Sequence, residues 1–158
     1  MLHIETGKKN EILRAVSEPI KKNEIKEYLK LGKEMLKYIK DPDNGGVGLA
    51  APQVGYNKRL IVVSLLKDRE DENFPTIMMI NPEILEHSSD MEKDIEGCLS
   101  VPGEKGKVER YRGVKIKYTD KKTKEKTLIL NGLSARIVQH EVDHLNGILF
   151  TDKLKNKL

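Results

Sequence analysis

With one cysteine in 158 residues, the chain can form no intramolecular disulfide, and a reducing compartment is its natural setting. Cys98 is therefore open to three readings: core filler, nucleophile or metal ligand. Tryptophan is absent and aromatic residues make up only 4%, too few for a base-stacking platform. Neither sign of charge dominates. Lys plus Arg number 29 against 25 for Asp plus Glu, a net charge of +4, which is not the footprint of a nucleic-acid binder and implies no specific DNA partner. No apolar run approaches the roughly 18 residues needed to cross a bilayer, and MLHIETGKKNE lacks the apolar stretch of a secretory signal. A cytoplasmic protein with no membrane partner is expected.

What is present fits one domain over residues 1–158, a core under a heavily solvated surface: 37% of residues are hydrophobic and 34% charged. From Asn23 to Lys40, Ile25, Tyr28, Leu29, Leu31, Met35, Leu36 and Ile39 recur at helical spacing, predicting an amphipathic helix. DPDNGG (41–46) stops it. RLIVVSLL (59–66) reads as a strand buried on both faces, and IMMINPEIL (77–85) as a strand bent or edged at Pro82. In GVKIKYTD (113–120), Val114, Ile116 and Tyr118 alternate with lysines, so one face is buried. DKKTKEK (120–126) is a hairpin tip and TLILN (127–131) the returning strand. A last helix runs from about Gly132 to Leu145, with Asn131 as N-cap and Gly147 just past its end. The expected fold is α+β: mostly antiparallel sheets around a central helix near the C-terminus, with an N-terminal helix.

That central helix carries QHEVDH (139–144), the pattern His-Glu-x-x-His. Residues four apart share a helix face, so His140 and His144 can aim their rings at one ion. Glu141 is then placed to act as general base toward a water on the metal. Leu133 and Ile137 extend the ligand stripe as an apolar one, and Ala135, Val138, Val142 and Leu145 form another. A helix buried on most sides needs a partner for its inward polar groups, and a metal supplies one. By itself the short pattern also fits a surface helix. Asp143 either orients a histidine or is a solvated charge.

Two histidines leave a catalytic site one protein ligand short. Cys98, in EGCLSVPG (96–103), is the candidate third: Gly97 allows close backbone approach, and Pro102 with Gly103 ends the strand. Glu96 beside it anchors either a neighbouring backbone group or an arginine. GVGLAAPQ (46–53) offers a backbone that can approach a substrate, and the Gln53 amide can face an oxyanion or satisfy a buried carbonyl.

Together, GVGLAAPQ, EGCLSVP and QHEVDH, in this order and at these separations, resemble the three signature motifs of the peptide deformylases. The likeness extends through NEILRAVSEPI (10–20), NPEI (81–84) and GLSARIVQHEVDHLNGILFTDKL (132–154). It implies a hydrolase that removes the formyl group from the N-terminal formyl-methionine of new polypeptides and releases formate. Cys98, His140 and His144 match the family's metal ligands, and Glu141 its general acid/base. Gln53 and the backbone N–H of Leu99 match the groups that polarise the formyl carbonyl. Gly46 and Gly48 lie where the backbone holds the peptide extended, and Leu133, Ile137 and His140 where the methionine pocket is lined. The resemblance implies one divalent metal ion, Fe²⁺ in vivo, with Zn²⁺, Ni²⁺ or Co²⁺ able to replace it. Its implied partners are nascent formyl-Met peptides and, transiently, the ribosome.

Two segments depart from the family pattern. Many members continue into a longer C-terminal extension that can dock on the ribosome, where this chain has KLKNKL, read as a frayed, solvated tail. KKN (8–10) stands where a proline-containing turn often sits. The competing readings are a catalytically inactive deformylase-like protein that binds formyl-peptides, a zinc peptidase and a basic RNA-binding module. The peptidase lacks a third His or Glu ligand after His144. The RNA-binding module lacks an aromatic patch.

Overall fold

The computed structural model describes residues 2–157. Its helices are α1 (Glu11–Arg14), α2 (Ile25–Lys40) and α3 (Leu133–Leu145). Its strands are β1 (Gly48–Ala50), β2 (Leu60–Ser64), β3 (Thr76–His87), β4 (Met91–Gly97), β5 (Lys105–Tyr111), β6 (Gly113–Thr119), β7 (Glu125–Asn131) and β8 (Leu154–Lys157). A five-stranded sheet has the order β1-β2-β3-β6-β7 and a three-stranded sheet the order β4-β5-β8. Every pairing within them is antiparallel.

The large sheet is covered on both faces, which explains the nearly unbroken apolar run in β2. Leu60 and Val62 point one way, into a cluster with Tyr28, Leu31, Met35 and Ile39 of α2. Ile61 and Val63 point the other way, into a cluster with Ala135, Ile137, Val138 and Leu145 of α3. The period-2 alternation of a strand thus feeds two separate cores. A third cluster, Leu13, Val101, Val108, Leu149 and Phe150, lies against the small sheet, with Cys98 at its edge. Helix α3 is therefore wedged between the large sheet and the segment that carries the thiol.

The bend expected at Pro82 is present. The β3–β6 register shifts between Ile80 and Glu83, and Asn81 adopts φ 51°. Its side chain accepts from the Ile20 N–H at 2.8 Å and donates to the Ile20 carbonyl at 2.9 Å, replacing the lost ladder bonds. Three readings need correction. Asn131 ends β7 and does not cap α3; Gly132 is the N-cap, at φ 63° and ψ −130°, a conformation open to glycine because it has no Cβ. The C-terminal segment is not frayed: Leu154, Asn156 and Lys157 pair with Val108, Lys107 and Gly106 of β5. Gly97 answers no close approach, since a Cβ there would meet nothing nearer than 3.5 Å. Leu158 lies outside the described residues.

Candidate functional site

Three elements converge on one cleft. The segment before β1 brings Gly46 and Val47, with Gly48 opening the strand. The end of β4 and the turn after it bring Glu96, Cys98 and Leu99. The inner face of α3 brings Leu133, Arg136, Ile137, His140 and Glu141. Gln53 closes the floor from the short 3₁₀ turn Ala51–Val54. Apart from His144, which sits deeper at 1% exposure, every residue assigned from sequence to metal, catalysis or substrate lines this cleft.

The thiol and the two imidazoles meet as the helical spacing predicts. One ligand atom from each of Cys98, His140 and His144 lies within 4.8 Å of the others, and Cys98 Sγ is 3.4 Å from His144 Nε2. A tetrahedral metal with sulfur and nitrogen ligands needs donor separations of roughly 3.3–3.7 Å. His140 Nδ1 is 2.8 Å from Glu96 Oε1, so its Nε2 is the nitrogen left for an ion. Burial disfavours a charge on His140, yet Cys98, Glu141 and Glu96 hold its pKa up to about 10. Burial and the neighbouring His140 charge drive His144 well below the ordinary histidine range. With Nδ1 directed at Glu96, a neutral His140 ring offers Nε2 beside Cys98 Sγ and the His144 ring, a sulfur and two nitrogens gathered on one point. The residues fit a metal.

Glu141 faces the same space. It is 4% exposed, its Oε1 is buried with no hydrogen-bond partner among the described residues, and burial pushes its carboxyl up to about 7. Such an atom is costly unless something else occupies the site. Gly48 is required by this packing: a Cβ there would lie 2.6 Å from Glu141 Oε2 and 2.9 Å from its carboxyl carbon. The Gln53 amide is held on both sides. Its Oε1 accepts from the Ala50 N–H at 2.9 Å and its Nε2 donates to Ser100 Oγ at 3.1 Å, with Cys98 Sγ 3.5 Å away. The buried group that Gln53 satisfies is thus the Ala50 N–H and not a carbonyl, while its NH₂ is turned toward Ser100 and the thiol.

Behind the cluster lies a buried ionic network that sequence reasoning found only in outline. Glu96 takes two hydrogen bonds from Arg110, both at 2.9 Å, and one from Arg136 at 2.6 Å, as well as contacting His140. Its partners are arginines, which resolves the open choice. Burial would raise its carboxyl, but the Arg110 guanidinium and the His140 ring hold it far below the usual carboxylate range. Asp143 is bound by Arg110 and by Lys153; it fixes the arginine that fixes Glu96 and touches neither histidine ring in a hydrogen bond. Arg136 and Arg110 were missed. Arg136 had a signal, since it sits four residues before His140 on a stripe that is otherwise apolar. Arg110 had none, because its partners lie 14 and 33 residues away.

The polypeptide deformylase family model matches residues 1–158. A peptide deformylase from Carboxydothermus hydrogenoformans is 46% identical over 148 residues, covering 92% of this chain and 88% of its own length. The peptide deformylase 2 of Gloeobacter violaceus is 46% identical over 132 residues, covering 84% of this chain and 68% of its own. Among solved structures, a Met-Ala-Ser-bound class I type b peptide deformylase from Acinetobacter baumannii superposes with a TM-score of 0.86 at 40% identity, over 97% of this chain and 98% of that one.

The chain belongs to the peptide deformylase family. It is accordingly a metal-dependent hydrolase of formylated N-terminal methionine, with the α+β fold and antiparallel sheets of that family. Nothing in the site favours an inactive formyl-peptide-binding scaffold. Among the described residues no helix is long and apolar enough to cross a membrane.

Proposed function

We propose that Cys98, His140 and His144 hold one divalent cation, and that residues 1–158 form a single catalytic domain around it. Fe²⁺ is the ion assigned in the cell, and Zn²⁺, Ni²⁺ or Co²⁺ suit the same donors. When bound, the ion supplies Lewis-acid activation of water and of the formyl oxygen. The observation that carries this reading is the three-donor cluster within 4.8 Å, opening on the cleft that also holds the unpartnered Glu141 oxygen.

The chain's own groups do the rest. Glu141 takes a proton from the attacking water and delivers it to the leaving peptide amine, a transfer suited to a carboxyl that burial moves toward neutrality. The Leu99 backbone N–H and the Gln53 NH₂, one of whose hydrogens turns from the thiol, donate to the oxygen as it gains charge. Backbone at Gly46 and Gly48 holds the peptide extended, and Leu133 and Ile137 enclose the methionine side chain. Glu96 orients His140, with Arg110 and Arg136 fixing Glu96. The protein works in the cytoplasm or its organellar equivalent on nascent formyl-Met peptides, and meets the ribosome transiently.

Formate release from a formyl-Met peptide tests this, with protein purified anaerobically and assayed with and without added Fe²⁺ or Ni²⁺. Metal-dependent formate, absent with acetyl-Met peptide, is expected. No formate from folded, metal-loaded protein would refute the assignment.

A further inference from the structure

The cleft has a neighbour. A second cavity, of about 240 Å³ beside the cleft's 160 Å³, lies at the N-terminal end of α3, and three residues line both: Arg69, Leu133 and Arg136. These three are the partition between the two spaces. Leu133 is fixed by the start of α3. Arg136 is buried and tied to Glu96 and to the carbonyls of Val108 and Glu92. Arg69 is different. It comes from the connection between β2 and β3, is 61% exposed, and reaches across to β4 with one terminal nitrogen, which donates to Asp94 Oδ2 at 2.9 Å and to the Ile95 carbonyl at 3.1 Å. An exposed pair of this kind is weak and replaceable.

We propose that the Arg69–Asp94 bridge is the removable wall of the side-chain pocket, and so sets the length and charge of the first residue that the enzyme accepts. The inference rests on the reading above, in which Leu133 and Ile137 enclose the methionine side chain. On that reading the methionine side chain lies on the cleft side of the partition, against Leu133 and Ile137. The space beyond is polar, lined by Lys67, Asp68, Glu92 and Arg112 as well as Asp94. With Arg69 in place, its cation faces any incoming positive tip and occupies the Asp94 carboxylate. Removing the guanidinium opens the second cavity and frees that carboxylate. The substrate class admitted is then a formylated residue with an apolar stem and a cationic end, of which lysine, one atom longer than methionine, is the simplest.

The test compares kcat/KM for formyl-Met-Ala-Ser and formyl-Lys-Ala-Ser peptides in the metal-loaded wild type, Arg69→Ala, Asp94→Asn and the double variant. Turnover of the methionine peptide by the wild type checks the underlying reading, and its absence would overturn that reading. Given that turnover, the Lys/Met ratio should rise about tenfold in Arg69→Ala. It should rise less in the double variant, which opens the wall but offers no carboxylate. Asp94→Asn alone, with both side chains still present, should move the ratio little, because the Arg69 cation remains. A general distortion of the site would lower both substrates and leave the ratio unchanged. An unchanged ratio in Arg69→Ala, or the same rise in the double variant, overturns the proposal.

Discussion

Two buried polar clusters lie side by side on α3, and they are built in opposite ways. In the network of Glu96, Arg110, Arg136 and Asp143, every carboxylate is bound by at least one cation, and Glu96 takes three arginine hydrogen bonds. In the cluster of Cys98, His140, Glu141 and His144, Glu141 Oε1 and His144 Nδ1 are buried without a hydrogen-bond partner among the described residues. Both are desolvated by the same helix and sheets. The first is a closed ionic framework that holds the His140 ring in place. The second leaves the Glu141 oxygen on a cleft and the Cys98, His140 and His144 donors gathered with no cation among them, an arrangement suited to completion by an ion, a water and a substrate. Saturation marks support, and incompleteness marks the place where chemistry happens.

Breaking each cluster should therefore give different symptoms. The largest effect belongs to Glu141→Gln. It should retain metal but lose turnover by about 10²- to 10⁴-fold, measured as formate release beside metal content; near-normal activity would remove Glu141 from the mechanism. Next comes Arg110→Met, which leaves Glu96 and Asp143 without their shared partner. It should cost about 3–5 kcal/mol in unfolding free energy by denaturant titration, with much of the loss recovered when Glu96→Gln is added. A loss that is no smaller in the double variant would show that the network is not a coupled unit.

Gly48→Ala probes the contact between β1 and the Glu141 carboxylate. The added Cβ would fall 2.6 Å from Glu141 Oε2, and a displacement approaching 1 Å can cost about 100-fold in rate. The signature is a fall in kcat with bound metal unchanged; unaltered kcat would mean that Glu141 has another productive position. The smallest effect is expected at an exposed pair outside both clusters. Hydrogen bonding to Arg14 holds the Asp152 carboxyl below its ordinary range, so its contribution to stability is present at neutral pH and fades as pH falls through that lowered pKa. Asp152→Asn should cost no more than about 1 kcal/mol at pH 7, and the difference from wild type should vanish in acid. A cost that persists in acid would point to packing in place of charge.

Much of the site was legible from residue order, and for a physical reason. His140 and His144 share a face of α3 because the helix repeats every 3.6 residues, and the chain's single thiol had few roles open to it. The unbroken apolar run of β2 announced burial on both faces, and the lysine alternation of β6 announced burial on one. β1 was not legible, being three residues long. β4 and β5 were not, because their small sheet buries so little that β4 carries charged or exposed residues at most positions. Asn131 was read as a cap from its type alone, whereas the tight exit from β7 demands the positive φ of Gly132.

The sequence by itself determined the candidate ligand pair on α3, the two-sided core strand, the candidate base and the motif set that carries family membership, since each of these depends on local periodicity or on residue identity. Only the tertiary structure decided that Cys98 lies 3.4 Å from His144, that a Cβ at Gly48 would press on Glu141, that Glu96 is held by Arg110 and Arg136, and that Asp143 holds Arg110 and not a histidine. It also brought Arg69 to the cleft and paired it with Asp94 of β4. Those relations join residues tens of positions apart, through distances set when α3 docks between the two sheets, and no local period encodes them.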